Sequence, residues 1–109
     1  RRIGEYLASR LERLKRYGVV REVRGRGILR GVELVRDTRT MEPFPELGAA
    51  LKRTALENGL ILRVDPSWFA VSPALIASEA DIDEMCDLIE KAFVEALQAV
   101  RSLQVPASL

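Results

Sequence analysis

Residues 19–36 read VVREVRGRGILRGVELVR. β-Branched and apolar residues recur through this run and are interrupted by Gly25, Gly27 and Gly31, the pattern of two short strands rather than a helix. The strands are expected to join at Arg24-Gly25-Arg26-Gly27, with Gly25 and Gly27 permitting a tight turn or bulge. A phosphate-binding loop is the other reading of these glycines, but their spacing matches neither the GxGxxG nor the Walker pattern.

The flanks of this strand pair are helical. Upstream, Ile3, Leu7, Leu11 and Leu14 recur every three or four residues with Arg10, Glu12, Arg13 and Lys15 between them. That spacing predicts an amphipathic helix stopped at Gly18. Downstream, residues 37–45 carry charges, Thr and two prolines without periodicity and read as a surface loop. A second helix is expected over 46–58, burying Leu47, Leu51 and Ala55 and ending at Asn58-Gly59. Two strands follow, 60–64 and 68–72, around an Asp65-Pro66-Ser67 turn. Ser78 and Asp81 form a capping pair for a long helix with the apolar stripe Ile82, Met85, Cys86, Ile89, Phe93, Ala96, Leu97 and Val100. Residues 103–109 are expected to be a frayed tail.

The order helix, two strands, helix, two strands, helix implies an α+β fold, a small mostly antiparallel sheet packed against helices. At 109 residues the chain accommodates one domain, 1–109. The abrupt start at Arg1-Arg2, with no cap before the first helix, is expected of a fragment of a longer chain.

Composition removes several function classes. Cys86 is the single cysteine and histidine is absent, which excludes intrachain disulfides, Cys/His metal centres and Ser-His-Asp or Cys-His triads. A net charge of +1 argues against a general nucleic-acid or anionic-membrane binder. No apolar run approaches the roughly 20 residues of a membrane helix, and no signal-peptide stretch opens the chain, so the cytoplasm is the expected compartment. Fourteen of the 17 basic residues are arginine, the side chain suited to bidentate carboxylate contacts.

Arg63 closes the apolar run GLIL before a turn, a rigid base from which a guanidinium can clamp a carboxylate. Spacing alone favours the plainer reading, a solvent-facing residue paired with an acid such as Asp65. Trp68 and Phe69 are adjacent and must point to opposite faces of a strand, one to the core and one to solvent or a partner. Lys15, Lys52 and Lys91 sit on polar helix sides, unlike the desolvated lysine a Schiff base requires. Cys86 reads as a small core residue.

Three stretches in order resemble the C-terminal part of the class III aminotransferases, the family of ornithine, GABA and omega-amino-acid transaminases: VREVRGRGILRGVELV, ENGLILR and VSPALIASEADIDEMCDLIEKAFVEAL. The first is similar to the family's strand pair with its Arg-Gly-x-Gly turn, the second to its Gly-Leu-Ile segment, the third to its Pro-Pro-Leu turn and closing helix. Ala74 stands where the second proline is common, and Ala70 where ornithine-type members often carry a substrate-binding arginine. Arg63 falls where members resembling omega-amino-acid:pyruvate transaminases carry a mobile arginine, which binds a carboxylate and swings aside for amines. The resemblance thus reverses the preference at Arg63 and places Trp68 beside the same region.

The resemblance further implies pyridoxal 5'-phosphate held by a lysine of a large domain in the full-length enzyme, a homodimer with active sites near the subunit interface, and small amino and keto acid substrates. By itself this part would be inactive and bind no cofactor. Two other classes are a freestanding α+β small-molecule-binding or regulatory module, distinguished by the coding sequence upstream of Arg1, and an RNA-binding module using Arg24, Arg26 and Arg30. The latter lacks net charge and aromatic pairing.

Overall fold

The computed structural model describes residues 2–26, 29–71 and 78–104. Helix α1 (Arg2–Glu12) tightens into a 3-10 segment, Arg13–Tyr17. Gly18 ends it at φ 77° and donates its N–H to Lys15 O at 3.0 Å. Strands β1 (Val20–Arg26) and β2 (Leu29–Leu34), helix α2 (Pro45–Glu57), strands β3 (Arg63–Val64) and β4 (Trp68–Val71) and helix α3 (Glu79–Gln104) follow. The expected α+β class holds: the strands form one antiparallel sheet in the order β1-β2-β4-β3.

Strand β1 is longer than its glycines imply. Arg24, Gly25 and Arg26 pair with Gly31, Arg30 and Leu29, so these three residues continue the strand instead of turning as expected, and Gly27 lies outside the described residues. Gly25 has a different use: at φ 136° its Cβ would come 2.0 Å from Leu29 O. The bulge lies earlier, between Val20 and Glu22. One extra residue there reverses the alternation, turning Val20 to the core while Glu22 and Arg24 reach the outer face.

On the inner face Val32 and Phe69 are fully buried with Val20, Leu34 and Val71. They join Leu7, Leu47, Leu51, Ile82, Ile89 and Phe93 from the helices in one core. Helix α2 packs along α3, and the Thr54 hydroxyl donates to Ala92 O at 2.8 Å. A Schellman closure ends α2: Leu60 N–H donates to Ala55 O and Gly59 N–H to Leu56 O, with Gly59 at φ 83°. Pro45 occupies the first turn, one residue earlier than expected, because a proline there needs no N–H partner. Ser78 Oγ accepts from Asp81 N–H at 3.2 Å, the expected cap of α3. That helix continues through Gln104, and the rest of the expected tail lies outside the described residues.

Two further expectations are corrected. Only Arg63–Val64 pair in the segment 60–64, since the Schellman closure takes the Leu60 N–H before a ladder can begin. Arg10 is not on a polar face: it is 8% exposed. Its guanidinium pairs with Asp83 and, at 3.0 Å, with Asp87 on α3.

Candidate functional site

Strand pairing brings four residues into one row across the sheet: Arg24 opposite Gly31, Gly31 opposite Ala70, Ala70 opposite Arg63. Directly opposed residues of an antiparallel pair share a face. This face is the outer one, because their neighbours Val23, Val32, Phe69 and Val64 point to the core. Two guanidinium-bearing residues therefore bound a strip floored by a glycine and an alanine. Trp68, two residues before Ala70, projects from the same side, while Phe69 is fully buried. The expected division of the aromatic pair is what the sheet produces.

The two arginines differ in their surroundings. Arg24 Nε lies 3.4 Å from Glu22 Oε1, and its guanidinium stands 4.6 Å over the centre of the Trp68 ring. Glu33, opposite Glu22 in the ladder, is paired at 3.0 Å with Arg21. Arg63 is exposed at the end of the edge strand, and its guanidinium has no ion-pair or hydrogen-bond partner among the described residues. The anticipated pair with Asp65 is not formed; Asp65 instead donates its N–H to Trp68 O at 2.9 Å and closes the β3–β4 turn. An open depression around this end of the sheet is lined by Arg24, Gly31, Lys52, Ile61, Arg63 and Trp68, among others.

Such an arrangement can hold a small carboxylate. A guanidinium offers two parallel N–H donors, and Arg63 carries them without a competing acid. The Ala70 methyl leaves space beside it that a longer side chain would fill. Ala74, named for the missing second proline, lies outside the described residues.

The residues considered for other chemistries are placed otherwise. Gly25 lies within the ladder, so its backbone is not a phosphate cradle. Arg30 faces away from Arg24 and Arg26 and donates to Gly25 O at 3.1 Å, so the three arginines do not share a surface. Lys15, Lys52 and Lys91 are all exposed on helical segments, and Lys15 pairs with Glu12 at 2.7 Å. None has the desolvated setting a cofactor-bound lysine needs, so these lysines do not fit a pyridoxal phosphate site. Among the described residues no cluster of three metal-ligating side chains occurs, and no helix is long and apolar enough to cross a membrane.

Residue reasoning missed the contribution of Arg24 and Gly31. The signal was present in the alternation of residues 29–34 against 68–71, but it required the register of strands far apart in sequence.

A family model described as aminotransferase class-III matches residues 1–93. A taurine–pyruvate aminotransferase from Bilophila wadsworthia is 35% identical over 106 residues, covering 89% of this chain and 23% of the relative. An alanine/serine racemase from Pyrococcus horikoshii is 30% identical over 102 residues, covering 87% of this chain and 20% of the relative. The crystal structure of an omega-transferase from Vibrio fluvialis JS17 has a TM-score of 0.85 at 29% identity, covering 93% of this chain and 24% of that one. The chain spans about a quarter of the length of the relatives it matches.

Proposed function

The chain belongs to the class-III aminotransferase family, and from that premise we propose that it is the C-terminal substrate-binding small domain of a longer enzyme moving an amino group between an amine or amino acid and a keto acid. Pyridoxal 5'-phosphate supplies the electron sink for such a transfer when bound. Its lysine and phosphate contacts belong to a large domain beyond these 109 residues, in a homodimeric enzyme. This part alone has no turnover.

The observation that carries the reading is the exposed Arg63 guanidinium, without a partner among the described residues, on a strip floored by Ala70. Arg63 binds the carboxylate of an amino or keto acid, and Trp68 bounds the same strip on its other side. A flexible side chain on an edge strand can turn outward when the substrate is an amine without a carboxylate. One pocket then serves both half-reactions.

The test is Arg63→Ala in the full-length enzyme. A charge-assisted bidentate contact is worth about 1.5–3 kcal/mol, or roughly 10- to 100-fold. That loss in kcat/KM is expected for keto-acid and amino-acid substrates, against less than about threefold for a simple amine. Equal losses for both classes would overturn the role of Arg63. Inversion of a single amino acid without any keto-acid acceptor would replace transfer by racemisation, the reaction named for the Pyrococcus relative.

A further inference from the structure

The Trp68 ring does not lean toward Arg63. A Cβ built on Gly31 would lie 3.2 Å from Trp68 Cζ3 and 3.3 Å from Cε3, so the ring lies across β2 in the space that a side chain at position 31 would occupy. Above it stands the Arg24 guanidinium, 4.6 Å from the ring centre. Arg24 is itself fixed by Glu22 at 3.4 Å, with its second contact, Glu33, 4.0 Å away and already paired to Arg21.

The ring is therefore held between a glycine floor and a guanidinium lid, at the β1 end of the row. A cation over an indole face is attracted by the ring's quadrupole, which biases one rotamer. The Ala70 floor lies between Gly31 and Arg63 in the row. A ring released from β2 could rotate about its side-chain torsions and cover that floor.

We infer that Arg24 and Gly31 are positioning residues that pin the Trp68 ring against β2, keeping the strip over Ala70 open for the substrate carboxylate at Arg63. This rests on the proposed role of Arg63 and deepens it. The two arginines divide the work. Arg24 is neutralised by acids and spends its face on the indole; Arg63 keeps its donors for a ligand.

Trp68 is the single tryptophan of these 109 residues, so a Trp68→Phe variant isolates its emission. The experiment uses the full-length enzyme, with acrylamide quenching of the Trp68 emission, isolated as the difference from Trp68→Phe, and a pyruvate titration followed by calorimetry. In Arg24→Gln, quenching should rise about twofold and the apparent pyruvate Kd should weaken about threefold or more. Arg24→Lys, which keeps a cation, should recover most of both. Gly31→Val, whose side chain extends beyond a Cβ already 3.2 Å from the ring, should displace the ring and shift both readouts in the same direction without altering any charge.

Unchanged quenching in Arg24→Gln would overturn the inference, as would increased quenching with unaltered pyruvate binding. Arg63→Gln separates the underlying reading: it should abolish the pyruvate response and leave quenching untouched. A parent enzyme that gives no pyruvate response would overturn the reading of Arg63, and this inference with it.

Discussion

Gly48 shows how a single residue supports the strip from behind. It lies in α2, and a Cβ there would come 2.0 Å from Pro66 O and 3.0 Å from Val64 Cγ1. The helix thus touches the backbone of the β3–β4 turn, the turn that carries Arg63 on one side and Trp68 on the other. In an exposed helix interior, glycine to alanine would stabilise by about 1 kcal/mol; here the clash is with backbone and must dominate. Gly48→Ala is expected to destabilise the chain by about 1–3 kcal/mol, measured by urea unfolding. At this scale the place of Arg63, at the end of an apolar run before a turn, was legible, while its choice over the plainer solvent-facing reading came from the family resemblance. Its freedom from Asp65 was not legible, since that depends on where the turn directs the acid's backbone.

Among the elements, α1 and α3 are joined by polar contacts that periodicity did not reveal. Tyr6 OH donates to Asp83 Oδ1 at 2.5 Å, Arg10 pairs with both Asp83 and Asp87, and Tyr17 OH donates to Glu90 at 2.5 Å. Arg10 sits three residues after Leu7 and four before Leu14, inside the apolar stripe of its own helix. Only the facing Asp83 and Asp87 make that burial tolerable. Arg10 Nε has no hydrogen-bond partner among the described residues, so the arginine contributes specificity of docking as much as strength. Arg10→Ala should cost about 1–3 kcal/mol in unfolding free energy.

The same cluster has a pH signature. The Tyr6 hydroxyl, ahead of the Arg10 guanidinium, holds the Asp83 carboxyl below its ordinary value of 3.8. Its stabilising contribution is therefore complete above about pH 4 and lost as pH falls through the depressed pKa. The hydrogen bond to Asp83 raises the Tyr6 hydroxyl above 10.0, a contribution present below pH 10 and lost as pH rises through the higher folded value. Asp83→Asn should flatten the unfolding midpoint against pH at the acid end, with the parent chain as reference; an unchanged acid limb would exclude this pair as its source.

For the whole molecule, Cys86 reports on the integrity of the core. It is 5% exposed within the stripe of α3 that meets α1 and α2, and burial pushes its thiol up to about 11. At neutral pH the thiolate is scarce and the sulfur shielded. Labelling by a thiol reagent should be slow in the folded chain and follow global unfolding, with the same urea midpoint as circular dichroism. Rapid labelling without denaturant would mean that α3 opens separately from the sheet.

What the sequence determined by itself was the α+β class, the order of its elements, the apolar faces of α2 and α3, the Ser78 cap and the opposite directions of Trp68 and Phe69. Each follows from spacing within a few residues, where the helical period, strand alternation or a single cap decides. Tertiary structure alone decided that Arg10 is buried, that β3 pairs through only two residues, that β1 continues past Gly25, and that Arg24 lies over Trp68 while Arg63 stays unpaired among the described residues. These outcomes depend on which distant strand or helix supplies the partner. Backbone register placed a glycine under the indole and acids beside one arginine but not the other, a choice that no local pattern encodes.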